Sequence, residues 1–392
     1  MAAYVQRELE KVLLNAARSF PAVVLTGPRR SGKTFLLTKL FPSATYVLAE
    51  DPDVVARLRA DPQGYLDSLR LPVILDEVQN VPELFAYVRS RIDTRTRRHG
   101  QWLLTGSQEA PLMHNVSESM AGRAAVLQLL PLSSRESHKV SAFRGGYPEP
   151  LAKPSAAPLW MSSYVQTYLE RDVRQIINVR DLSVFRRFLA ILATRHGQML
   201  NKTDIAAPLG VSVPTVTQWL SVLETTSLVA LVSPYYENLG KRLVKTPKLY
   251  FLDSGLVCHL LGIESDRELR RHALYGSIFE GFIASEIIKA QLHRGRRREL
   301  YYFRDEQGLE VDFLVPVGAG KIELIEAKAS VTVQPRMAEP LLKLGRALLQ
   351  NRARTQVTLT VVHEPARSPS PAQQTIAKGV RAMPWPTWTA QL

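Results

Sequence analysis

The sequence predicts a multidomain α/β chain: a parallel sheet flanked by helices, then a helical middle region, then a smaller α/β domain. Three observations carry this. In the first third, apolar runs alternate with helical patterns, as in "AVVLT" before "FLLTKLF" and "VILD" before "VPELFAYVRSRID", and strands alternating with helices imply a parallel sheet. Helical patterns dominate residues 159–231. From residue 275 a helix is followed by several strands and then another helix. A length of 392 residues fits two to four domains. The expected boundaries are 1–145, 146–198, 199–262 and 263–392, with the Pro- and Gly-rich "GGYPEPLAKPSAAP" (145–158) as a connection.

Residues 4–19 read as an amphipathic helix, and the strand "AVVLT" follows. "GPRRSGKT" (Gly27 to Thr34) then matches G-x-x-x-x-G-K-[ST] between a strand and a helix. Gly27 and Gly32 let the backbone curl, so that N–H groups of the loop, Arg30 and Ser31 included, face phosphate oxygens. Lys33 reaches the β- and γ-phosphates, and the Thr34 hydroxyl is a Mg²⁺ ligand. Asp76 ends the next apolar strand, where a carboxylate can hold the Mg²⁺ shell, and Glu77 can polarise an attacking water. A pair of solvated acids is the bland alternative. Thr105 or Ser107 in "LLTGSQ" can sense the γ-phosphate. ATP and Mg²⁺ are therefore the expected cofactors.

Together these residues resemble an AAA-type ATPase. "SESMAGRAAVLQLLPLS" (117–133) extends the likeness to a bacterial and archaeal family that joins such a domain to a C-terminal domain of unknown function, the DUF4143 type. "YLERDVRQIINVRD" (168–181) and "YFLDSGL" (250–256) belong to the same resemblance, which covers nearly the whole chain. It implies that Arg123 is a phosphate-contacting arginine, acting in cis or from a neighbouring subunit, with a surface or helix-capping role as the alternative. Arg171 and Arg174 are further candidates for that task.

The segment 201–236 has helix-turn-helix logic. "KTDIAAPLG" is a short helix stopped by Gly210, and a second helix starts with Ser212 as cap and Pro214 in its first turn. Val216, Leu220 and Leu223 share one face, leaving Thr215, Thr217, Gln218 and Ser221 toward the other. Small polar residues at the start of such a helix suit a DNA major groove. "ALVSPYYENLGKRLVKTPKLYFLD" then reads as a β-hairpin with Lys241 and Arg242 at its tip, which resembles the wing of a winged helix. Lys245 and Lys248 could add phosphate contacts. A winged helix used only for protein contacts is the alternative.

In the last domain, Glu280 lies on the helix "YGSIFEGFIASEIIKAQLHRG", Asp312 within a strand, and Glu326 and Lys328 within the next. An acid followed by Glu-x-Lys resembles the PD-(D/E)xK core of restriction-endonuclease-like domains. On that resemblance Asp312, Glu326 and Glu280 would hold Mg²⁺, and Lys328 would orient water or stabilise phosphate charge. A cross-strand ion pair explains Glu326 and Lys328 equally well, and the family's fold can persist without cleavage. The run "HRGRRR" (293–298) is a solvated charge run or a phosphate grip, and His196 and His259 read as structural.

Lys plus Arg number 50 against 36 Asp plus Glu, a formal charge of +14. That surplus favours nucleic acid over other partners. A single cysteine, Cys258, excludes an intramolecular disulfide. No run reaches transmembrane length, so the expectation is a cytoplasmic protein without a membrane partner. The resulting reading is an ATP-hydrolysing protein acting on DNA by structure rather than sequence, branched DNA included, with a nuclease-like C-terminal domain. The alternative is a nucleotide-dependent switch or scaffold that contacts proteins or regulates transcription. A homo-oligomeric ring would explain an arginine supplied from a neighbour, with a monomer or dimer as the alternative.

Overall fold

The computed structural model describes residues 4–94, 98–106, 119–169, 182–235, 245–318, 320–351, 355–366 and 372–392. The chain forms two compact units, one of residues 1–132, 221–228 and 291–297, the other of 133–220, 229–290 and 298–392.

The first unit is built on five parallel strands: β1 (Ala22–Thr26), β2 (Thr45–Leu48), β3 (Val73–Asp76), β4 (Trp102–Thr105) and β5 (Ala124–Gln128). Their order is β2-β3-β4-β1-β5. β1, β3 and β4 are buried throughout, which explains why they read as continuous apolar runs. Alternate residues serve opposite faces. Val24, Leu75 and Leu104 pack with Leu58 and Val88, whereas Val23, Ile74 and Leu103 pack with Leu13 and Leu37. β4 therefore separates β1 from β3, and the carboxyl ends of these three strands lie side by side, at residues 26, 105 and 76. That is where open α/β sheets bind ligands. The first helix is Leu9–Ser19 and begins later than expected, because Glu10 turns back to accept the Arg7 N–H at 2.6 Å.

The second unit contains a six-stranded mixed sheet of β9 (Tyr301–Arg304), β10 (Glu310–Gly318), β11 (Lys321–Lys328), β12 (Gln356–His363), β13 (Gln374–Ala377) and β14 (Val380–Pro384). The order is β13-β14-β12-β11-β10-β9. β9, β10 and β11 run antiparallel, and the helix Glu339–Asn351 returns the chain so that β12 runs parallel to β11. Leu341, Leu344 and Leu348 of that helix pack on Val311, Leu314 and Leu324. The sequence pattern had assigned no element to the closing residues that form β14 and the short helix Trp385–Thr389.

A separate three-stranded antiparallel sheet of the same unit, in the order β6-β8-β7, joins β6 (Gln198–Met199), β7 (Val229–Val232) and β8 (Lys248–Phe251). The helix Lys202–Leu209 starts at Asn201, whose side chain accepts from Thr203 N and Asp204 N, and stops at left-handed Gly210. Ser212 Oγ accepts the Thr215 N–H at 3.2 Å at the start of the helix Val213–Thr225. Val216, Leu220 and Leu223 are buried as their spacing requires. Trp219 is buried as well, with its ring against Phe185 and Phe188. Beyond β7 the chain bridges to β9: Tyr235 N–H donates to Tyr302 O at 2.7 Å, and Tyr302 N–H to Ser233 O at 3.2 Å. Residues 145–158, expected as a connection, instead fold into the helix Pro148–Ala152 and a 3₁₀ turn. Buried Tyr147 anchors them by donating its hydroxyl to Tyr164 at 2.9 Å.

His196 is buried and accepts the Phe251 N–H at Nδ1 (3.0 Å), and burial pushes its pKa down to about 3. An unfolded histidine titrates near ~6.5. Its contribution to stability is therefore complete above that pH and drains as the pH falls toward 3. The expected loss is about 2 kcal/mol between pH 7 and pH 5. Hydrogen exchange of the Phe251 amide in the wild type and His196→Gln checks this. The stability gap between the two should narrow by that amount on acidification; an unchanged gap refutes it.

Candidate functional site

The candidate nucleotide site grows from the end of β1. Gly27 has φ +141°, and a Cβ there would lie 2.1 Å from the Leu129 carbonyl oxygen, so only glycine fits. Arg30 and Gly32 also have positive φ, which curls the loop before the helix Lys33–Leu40. Lys33 Nζ donates to the carbonyls of Gly27 and Pro28, both at 3.0 Å, so the ammonium lies over the loop. Ser31 Oγ is buried without a hydrogen-bond partner. Arg7 braces the loop from outside, donating to Ser31 O at 2.9 Å and Leu130 O at 2.6 Å.

Thr34 Oγ1 donates to Asp76 Oδ2 at 2.9 Å, which joins the two expected Mg²⁺ ligands across 42 residues of sequence. Tyr46 OH donates to the same oxygen at 2.7 Å, and Thr105 Oγ1 donates to Asp76 Oδ1. Burial, followed by the hydrogen bond to Asp76, raises the Tyr46 pKa. Thr105 also accepts the Glu77 N–H at 3.3 Å, so a single hydroxyl positions both acids. Glu77 has left-handed backbone, φ 56°, which turns it off the strand end. Its carboxylate accepts from the Gln79 amide and lies 3.9 Å from the Arg29 guanidinium. The residues present fit a magnesium nucleotide: a glycine-only cradle, an orphaned buried hydroxyl at Ser31 and a paired hydroxyl and carboxylate.

Arg123, expected to contact phosphate or to serve a surface or helix-capping role, is half-buried in the first unit. Its guanidinium forks onto Asp93 at 2.7 and 2.8 Å, a bidentate pair that raises its pKa and gives it a structural partner. Ser107, Arg171, Arg174, Lys241 and Arg242 lie outside the described residues. Arg7, Arg29 and Tyr46 were not identified from sequence.

The second cluster lies in the six-stranded unit. Asp312 Oδ2 accepts the Ala327 N–H at 2.9 Å, bringing β10 and β11 together beside Glu326. Lys328 Nζ donates to Glu326 Oε1 at 2.6 Å, while Glu326 Oε2 is buried without a hydrogen-bond partner. Burial and then Asp312 push the Glu280 and Glu326 carboxyls up, to about 7 and about 8. Burial pulls Lys328 down, but Asp312 and Glu326 outweigh it and leave its pKa raised.

The expected metal ligands therefore meet, but not as a metal site. Among the described residues no three His, Cys, Asp or Glu side chains are grouped to hold a metal ion. Lys248, expected to add a phosphate contact, is buried beside them. Its Nζ lies 2.9 Å from Glu280 Oε1 and 2.6 Å from Glu310 Oε1. Tyr250 OH donates to the same Glu280 oxygen at 2.5 Å. The residues do not fit the divalent ion that the PD-(D/E)xK resemblance implies.

Of the expected DNA-facing residues, Gln218, Thr217 and Ser221 are exposed. Thr215 is half-buried, with its hydroxyl 2.8 Å from Ser212 Oγ. Arg296 and Arg297 of the 293–298 run are exposed, but His293 is buried and accepts the Leu130 N–H at 3.2 Å. No helix among the described residues is long and apolar enough to cross a membrane.

Residues 19–138 match the model of an AAA domain, and 135–267 and 275–388 match two domains of unknown function, DUF8612 and DUF4143. The chain is 33% identical over 319 residues to the uncharacterized protein Rv2008c of Mycobacterium tuberculosis and equally to Mb2031c of Mycobacterium bovis. The alignments cover 79% of this chain and 71% of each relative. Among solved structures it is similar to the Walker-type ATPase PABY2304 of Pyrococcus abyssi, at 16% identity and TM-score 0.41, over 64% of this chain and 94% of that one.

Proposed function

We propose a function from one premise: this chain belongs to the family of AAA-domain proteins that includes Rv2008c. The AAA domain is an ATPase module, and the function we infer is Mg²⁺-dependent ATP hydrolysis that switches how the protein holds DNA. The observation that carries the hydrolytic part is the Thr34–Asp76 hydrogen bond, with Glu77 oriented through the shared Thr105. Thr34 and Asp76 would hold Mg²⁺, which neutralises charge on the β- and γ-phosphate oxygens. Lys33 swings from the loop carbonyls to the phosphates, Ser31 Oγ gains a partner, and Glu77 polarises the attacking water.

The DNA part rests on the +14 charge and on the exposed Thr217, Gln218 and Ser221 of the helix Val213–Thr225. The helices Lys202–Leu209 and Val213–Thr225 with the sheet β6-β8-β7 support a winged-helix reading. Few side chains there read base edges, so shape and backbone are the recognised features. The lysine within the acidic cluster speaks against metal-dependent cleavage.

The test is binding of duplex, forked and single-stranded DNA by fluorescence anisotropy at about 50 and about 200 mM salt, with ATP analogue or ADP present. Affinity should fall at least about tenfold between the two salts, and should differ between nucleotides. A protein that binds no DNA at low salt is instead a switch or scaffold for protein partners.

A further inference from the structure

We propose that Lys248 is the resident cation of the acidic cluster, standing where a divalent ion would be required, so that the cluster is an ion lock and not a cleavage site. The argument begins with the carboxylates. Asp312 and Glu326 are buried, and Glu280 and Glu310 are half-buried beside them. Burying carboxylates together is costly unless cations accompany them. In a nuclease-like site that cation is a metal. Here the protein supplies it from β8.

Most of the carboxylate oxygens have partners, Glu326 Oε2 being the exception. Lys248 Nζ bridges Glu280 Oε1 and Glu310 Oε1, and its side chain is only 4% exposed. The Tyr302 ring covers the ammonium at 5.4 Å, and Tyr250, two residues along the same strand, saturates Glu280 Oε1 from a second direction. The outer Glu310 oxygen is held by Arg304 at 3.0 Å. Lys328 holds Glu326 Oε1, and a backbone N–H holds one Asp312 oxygen. Four carboxyl groups thus face three cations, Lys248, Lys328 and Arg304, which leaves one negative charge where a divalent ion would bring two positive ones. A divalent ion held by Glu280 would have to displace a buried, doubly paired ammonium.

The lock has a mechanical meaning. Lys248 stands on β8 of the small sheet, Glu280 on the helix Tyr275–Leu292 and Glu310 on β10. One ammonium therefore ties three separate elements of the second unit. This goes beyond the ATPase reading and does not depend on it, because none of these residues belongs to the nucleotide site.

The experiment uses the full-length, nucleotide-free protein titrated with Mn²⁺ by isothermal calorimetry. Wild type and Asp312→Asn should give the same isotherm, and Lys248→Met should gain about one Mn²⁺ site that Asp312→Asn removes. Thermal unfolding supplies a second arm. Lys248→Met and Glu280→Gln should each lower the Tm, and their combination should be no worse than the poorer single variant. Mn²⁺ uptake by wild type that vanishes in Asp312→Asn overturns the proposal, as does Mg²⁺- or Mn²⁺-dependent DNA cleavage lost in that variant. Additive losses of Tm overturn the lock. If Lys248→Met fails to fold, Lys248→Arg must keep the wild-type Tm within a few degrees, and the comparison of wild type with Asp312→Asn still decides the metal.

Discussion

Lys33→Ala lowers ATP turnover by a factor on the order of 10²–10³, the cost of removing one preorganised donor from a transition-state oxygen. It should also weaken ATP binding, because the role proposed for the ammonium is a charged contact to the terminal phosphates. Glu77→Gln should lose a similar factor in turnover while retaining bound ATP, since the amide keeps the side chain's size but not its charge. A filter-binding assay with labelled ATP beside a phosphate-release assay separates the two. The fold should survive both changes. Lys33 donates to the Gly27 and Pro28 carbonyls, and those carbonyls sit in a loop also braced by Arg7. Turnover in Lys33→Ala equal to wild type would remove the ATPase assignment of this site.

Gly281→Ala should destabilise the second unit by about 1–3 kcal/mol, despite the ~1 kcal/mol that alanine normally gains over glycine within a helix. A Cβ at position 281 would lie 1.8 Å from His196 Nε2 and 2.4 Å from its Cε1. The ring cannot retreat without giving up the Phe251 N–H that it accepts. Cost and cause are separable by a double-mutant cycle. In a His196→Ala background the penalty should vanish, leaving the alanine neutral or favourable. Equal penalties in both backgrounds, read from urea-induced unfolding, would place the strain elsewhere.

The nucleotide site was legible in the sequence because phosphate binding imposes a local pattern. Gly27, Gly32, Lys33 and Thr34 are neighbours in the chain, and their backbone conformations follow from their residue types. Asp76 and Glu77 could be placed because a buried strand announces its own end. The helix Val213–Thr225 was legible for a similar reason, since Val216, Leu220 and Leu223 repeat at helical spacing. What stayed hidden depends on contacts between residues far apart. Tyr46 read as one strand residue among several, and Arg7 as one charge on an amphipathic helix. Lys248 is the sharpest case. Beside Lys245 in a basic stretch it resembled a phosphate contact, and no local pattern could show two acidic partners from separate elements converging on it. Glu326 and Lys328, by contrast, do form the ion pair that period-two geometry allows.

β9 is the last strand of the six-stranded sheet, and the far side of an outermost strand is an open template for a passing chain. Here the segment after β7 covers it. Tyr235 N–H and Ser233 O engage the two main-chain groups of Tyr302, and the Tyr302 hydroxyl is fastened to Thr246 O. With Tyr302 already satisfied, that margin offers fewer unpaired groups to a second molecule. The same short stretch that links the small sheet to the large one thus guards this margin against sticking to a neighbouring molecule in a crowded cell.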